Sequence, residues 1–117
     1  MQVDFYRKIK TLNKKWESEL KQFLKKYSSE KVLIILFGSR SRGDHNILSD
    51  FDIVFISENE IEEPKIDFPC DLFMYTIAEV FELLKTDNFI VKNALSNGQI
   101  LLDNLDKTGE LLKIANI

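Results

Sequence analysis

The chain is poor in the residues that most often announce a site: of its 117 residues, one is cysteine, one histidine, two are proline and four glycine. A lone thiol, Cys70, excludes an internal disulfide and has no ligand-spaced companion, so it reads as packing in a reducing compartment. His45, the only histidine, lies in the same loop as Gly38 and Gly43 and reads as exposed; a metal-coupled carboxylate can serve as a base in its place. The longest apolar runs, VLIILF (32–37) and IVFI (53–56), are far shorter than the about 20 residues of a membrane span. The opening MQVDFYRKIK lacks the apolar core of a signal peptide, which points to the cytoplasm. There are no repeats and no low-complexity segments.

What is present is the composition of one soluble globular domain, 44% apolar and 30% charged. The net charge of −3 conceals an asymmetry. Residues 1–31 hold nine Lys/Arg against four Asp/Glu, whereas residues 32–117 hold seven against fifteen. A basic helix on an acidic body suits a solvated face better than a nucleic-acid surface, and nothing resembles an arginine-rich arm.

Phe5, Ile9, Leu12, Trp16, Leu20, Phe23 and Tyr27 recur at three- and four-residue intervals, the stripe of a helix over about residues 4–27. VLIILF has the uniform apolar character of a central strand buried on both faces. GSRSRGDHNILS (38–49) is a turn region, and DFDIVFI (50–56) a second strand. The strand period places Asp50, Asp52 and Val54 on one face and Phe51, Ile53 and Phe55 on the other. SENEIEEPKIDFP (57–69) reads as a polar surface connection and CDLFMYT (70–76) as a third strand. Thr76 and Glu79 then form a capping box that opens a helix over IAEVFELLK. NFIVKNALSNG implies another helix, stopped at Asn97-Gly98, QILLD a short strand, and KTGELLKIA a last helical stretch.

Chemistry concentrates where the first strand meets the second. Carboxylates at i and i+2 of a strand point the same way, roughly 7 Å apart along the backbone, and would repel each other unless a cation lay between them. Hard oxygen donors favour Mg²⁺ or Mn²⁺. Gly38 permits close backbone approach to a ligand, Ser39 offers a hydroxyl and an amide to phosphate oxygens, and Arg40 and Arg42 can offset phosphate charge. A phosphate site beside a metal site implies a metal-bound nucleotide. Phosphoryl transfer also needs a group that activates the attacking oxygen. Asp71, at the head of the third strand, is the favoured third carboxylate, with Asp67 as the alternative.

GSRSRG followed by SDFDIVF resembles the Gly-Ser…Asp-x-Asp signature of the DNA polymerase beta-like nucleotidyltransferase superfamily, and the short chain is similar to its minimal nucleotidyltransferase branch. The likeness covers roughly residues 32–102, including CDLFMYT and SNGQILLD. It implies an α+β fold, a small mixed β-sheet flanked by helices, with residues 32–117 as the minimal domain; residues 1–31, less clearly part of the family's pattern, are expected to form a basic amphipathic helix packed on it. By resemblance, Gly38, Ser39, Arg40 and Arg42 bind the nucleotide, while Asp50, Asp52 and Asp71 hold Mg²⁺ (two ions, or Mn²⁺) and carry catalysis. Members of the branch are often paired with a HEPN-domain toxin, which they restrain as antitoxins by moving AMP from ATP onto a tyrosine. The expectation is therefore an ATP- or other NTP-dependent protein adenylyltransferase in a hetero-oligomer with a HEPN partner, without membrane or nucleic acid. Contact inhibition by a non-catalytic module, or transfer to a small molecule, are the alternatives.

Overall fold

A computed structural model describes residues 2–38, 51–86 and 88–114, with side chains from residue 14 onward in the first helix. The described elements run α1 (Gln2–Lys26), β1 (Val32–Phe37), β2 (Phe51–Ser57), β3 (Cys70–Thr76), α2 (Ile77–Lys85), α3 (Phe89–Asn97), β4 (Gln99–Asp103) and α4 (Thr108–Ile114). The strands form one mixed sheet in the order β3-β2-β1-β4. β1 is antiparallel to both β2 and β4, and β2 is parallel to β3. This is the expected α+β fold, a small mixed sheet flanked by helices.

Every residue of β1 is buried, as its unbroken apolar run requires of a strand with neighbours on both edges and cover on both faces. One face carries Val32, Ile34, Leu36, Phe51, Ile53 and Phe55 against Leu20 and Phe23 of α1. The other carries Leu33, Ile35, Phe37, Val54 and Ile56 against Val80 and Leu84 of α2, Val91 and Ala94 of α3, and Leu111 of α4. The alternation in β2 thus sends its phenylalanines to the α1 layer and its aspartate face to the α2–α4 layer.

α1 ends one residue before Tyr27, whose ring still packs edge-on against Phe55 at 4.9 Å. The upper part of the expected stripe, Phe5, Ile9 and Leu12, lies outside the described side chains. Ser28 donates its hydroxyl to the Lys25 carbonyl at 2.9 Å and supplies a partner for the helix end. Asn104, just past β4, donates to the carbonyls of Ser28 at 2.9 Å and Glu30 at 3.1 Å, tying the turn before β1 to the far edge of the sheet.

The parallel β2–β3 pair needs a crossover, and residues 58–69 provide it without a helix or strand of their own. It crosses on the α1 side: Phe68 is buried there, edge-on to Phe51 at 5.3 Å and to Phe23 at 6.2 Å. β3 runs directly into α2 through the capping box, with the Glu79 amide donating to the Thr76 hydroxyl and the Thr76 amide to the Glu79 carboxylate. No helix among the described residues is long and apolar enough to cross a membrane.

Candidate functional site

The sheet brings two of the carboxylates together. Asp52 is the second residue of β2 and Asp71 the second of β3, and in the parallel ladder they are direct register partners. Paired residues on adjacent strands share a face, about 4.8 Å apart across the ladder. Asp52 is half-buried and Asp71 exposed, so the pair lies where the α2–α4 layer gives way to solvent. On its other side Asp52 is the partner of Phe37, whose ring is 5.8 Å from that of Phe73, two residues beyond Asp71. The aromatic pair therefore backs the two acids with apolar surface.

Gly38 follows β1 directly and takes φ +77°, a left-handed backbone that side chains rarely tolerate. The glycine is required for space as well. A Cβ built there would collide with the Asp52 carboxylate at Oδ2. The chain leaving β1 thus passes immediately over the Asp52 carboxylate, and only a residue without a side chain fits there.

Ser39, Arg40, Arg42 and Asp50, which the sequence assigns to the nucleotide and metal, lie outside the described residues, as does His45. Of the two candidates for the third carboxylate, the register puts Asp71 beside Asp52. Asp67 is exposed and borders a cleft of about 390 Å³ with Glu19, Gln22, Lys25, Lys26 and Lys65, on the α1 side of the sheet.

Sequence reasoning missed what steadies this end of the sheet. Gly98 terminates α3 with its amide donating to the Ala94 carbonyl at 2.9 Å, in an ordinary extended conformation (φ −79°). Its role is close approach, because a Cβ there would strike the Ala94 carbonyl oxygen and the Ile35 side chain and press on the Leu36 carbonyl oxygen. The C-terminus of α3 is thereby pinned against the end of β1 that leads to Gly38. Asn-Gly at a helix end is visible in sequence; its steric purpose is not.

Among the described residues no group of three or more His, Cys, Asp or Glu side chains gathers around a common point. The two that meet, Asp52 and Asp71, supply only hard oxygen atoms, with room kept over one of them by Gly38. That donor set fits a divalent cation of the Mg²⁺ class. Like charges directly opposite each other repel, and a cation held between the two acids would relieve that repulsion.

Comparison with curated proteins gives no match to this chain. A family model described as a nucleotidyltransferase domain matches residues 17–110, from the second half of α1 into α4 and across all four strands. The chain belongs to the nucleotidyltransferase domain family.

Proposed function

We propose that the chain transfers AMP from ATP to a hydroxyl of a HEPN-domain partner protein and acts in this way as the partner's antitoxin. Nucleotidyl transfer from a nucleoside triphosphate is the general activity of the family. The observation that carries the catalytic reading is the pairing of Asp52 with Asp71 beneath Gly38. The protein acceptor rests on the likeness of GSRSRG and SDFDIVF to the minimal nucleotidyltransferase branch.

In this reading Gly38 and Ser39 receive the triphosphate, and Arg40 and Arg42 offset its charge. Asp50, Asp52 and Asp71 hold Mg²⁺ or Mn²⁺, two ions in the fullest arrangement. Divalent cations, when bound, supply charge neutralisation to the triphosphate and to the departing pyrophosphate. Asp71, the more exposed of the described pair, takes the proton of the acceptor hydroxyl. The acceptor oxygen forms a bond to the α-phosphorus, the bond from that phosphorus to the β-phosphate bridge breaks, and pyrophosphate leaves with the electron pair. Phe37 and Phe73 behind the acids limit water on the sheet side of the reaction.

The test is label transfer from α-labelled ATP with Mg²⁺ into native cell extract or a co-encoded partner, beside an Asp50→Ala/Asp52→Ala variant. A labelled protein band that vanishes with the variant is the expected result, and its mass identifies the acceptor. Absence of a band with each of the four nucleotides, while the complex still forms and the variant still restrains its partner, would replace this reading with contact inhibition.

A further inference from the structure

The two acids stand on one face of the sheet, and an aromatic cluster holds the same end of it from the opposite face. Phe51 begins β2 immediately before Asp52, and its ring lies in the α1 layer. Phe68, near the close of the crossover and shortly before Asp71, meets the ring of Phe51 edge-on at 5.3 Å with an interplanar angle of 84°. Phe23 of α1 completes the cluster, edge-on to Phe68 at 6.2 Å. A backbone bond accompanies the ring contact, the Phe51 amide donating to the Pro69 carbonyl at 2.9 Å.

β3 depends on this fastening more than β1 or β2 does. It is an outermost strand of the described sheet, paired there with β2 alone. Asp71 is its second residue, and the ends of such strands open locally at low free-energy cost. The crossover before it, residues 58–69, has no helix or strand, and Phe68 is its one buried residue. Cys70 and Leu72, which pack on the same face as Phe68, are only partly buried. Outside the ladder, the entry of β3 is therefore fixed among the described residues by one ring and one backbone hydrogen bond. Side chains alternate along a strand, so this contact lies on the face away from the acids, and the ring touches neither metal nor substrate.

We infer that Phe68 is a positioning residue of the site: seated on Phe51, it fixes the start of β3 against the start of β2 and so holds Asp71 level with Asp52. The inference rests on the reading of these acids as metal ligands and names what keeps them together. Only molecules with the β3 entry docked present both carboxylates to one cation. The apparent affinity for that cation therefore falls in proportion to the docked fraction, and loss of the ring weakens Mg²⁺ binding without removing a ligand.

The test compares Phe68→Ala with Phe23→Leu in the full chain, since both cut into the same aromatic cluster and only the first lies next to β3. Phe68→Leu, a smaller truncation with the same expected direction, serves if alanine unfolds the chain. Amide hydrogen exchange of the ladder amides in residues 70–72 is read without metal, and thermal unfolding is read across a Mg²⁺ titration. In Phe68→Ala the β3 entry is expected to be docked in about one molecule in ten. These amides then exchange almost as in an open chain, and the Mg²⁺ concentration giving the same upward shift rises about tenfold. Phe23→Leu lowers the melting temperature and changes neither quantity. Wild-type protection at residues 70–72 in the Phe68 variants, or equal loss of it in Phe23→Leu, overturns the inference and leaves Phe68 as ordinary core. Lost protection with an unchanged Mg²⁺ requirement overturns it too, because Asp71 then finds its place without the ring. Lost protection confined to the Phe68 variants, with no Mg²⁺ response in any protein including wild type, upholds the fastening of β3 and overturns the reading of the acids as metal ligands.

Discussion

Asp52 and Asp71 stand side by side because β2 and β3 are parallel and in unbroken register, so that two acids nineteen positions apart in the chain share one face at one end of the sheet. Each is the second residue of its strand, and the apolar residues of both strands follow on the core side. The backbone ladder fixes where the two acids stand.

Mg²⁺ is therefore expected to stabilise the fold measurably. Thermal unfolding of the wild-type chain shifts upward with added Mg²⁺, because a ligand bound only by the native state stabilises it by mass action. Asp52→Asn and Asp71→Asn reduce that shift. In chelator, Asp71→Asn is at least as stable as wild type, by up to about 1 kcal/mol, since it removes a like charge from a directly paired position. An equal Mg²⁺ shift in all three proteins would move the metal site elsewhere.

Gly38→Ala is expected to damage the site more than its small size suggests. The left-handed backbone costs a side chain about 1–2 kcal/mol, and the new methyl would also displace the Asp52 carboxylate. Transfer activity is lost while circular dichroism shows a folded protein with a lower melting temperature. Gly109→Ala in α4 is the control, because its position has open space around it, and a helical Gly→Ala change is neutral or stabilising by up to about 1 kcal/mol.

Gly98→Ala tests the anchoring of α3 without touching the acids. The added methyl has backbone oxygen and a buried Ile35 in its way, neither of which yields cheaply, so a loss of about 1–3 kcal/mol is expected in denaturant unfolding. If stability is unchanged, α3 is free to retreat and does not brace β1.

The alkaline limb of stability reports on two tyrosines. Burial, with help from Glu30, raises the Tyr27 hydroxyl above its ordinary value of 10.0. Burial and then Glu79 do the same for Tyr75. The unfolded chain consequently gives up these protons first. Their contribution is fully present below pH about 10 and is lost as pH rises through the folded values. The double variant Tyr27→Phe/Tyr75→Phe should flatten the fall in unfolding free energy above pH about 10.

Most of the secondary structure was legible because local chemistry states it directly. The run VLIILF can only be a strand covered on both sides, and β1 is buried from end to end. Thr76 and Glu79 define a helix start by side-chain reach alone, and both capping bonds form. The alternation in DFDIVFI assigned Asp52 and Phe51 to opposite faces, and each joins the layer that its parity requires. Cys70 read as packing, and its half-buried place at the head of β3 agrees with that.

The sequence by itself determined the elements, their apolar faces and the residue types able to hold a nucleotide and metal, since these follow from periodicity, capping and donor chemistry within a few residues. Only the tertiary structure decided that Asp71 lies beside Asp52 while Asp67 faces the α1 side, that Gly38 and Gly98 are required for space, and that β3 is an outermost strand of the described sheet. Those are consequences of strand order, register and close approach between segments distant in the chain. No local pattern encodes them, because each depends on where a second segment comes to rest.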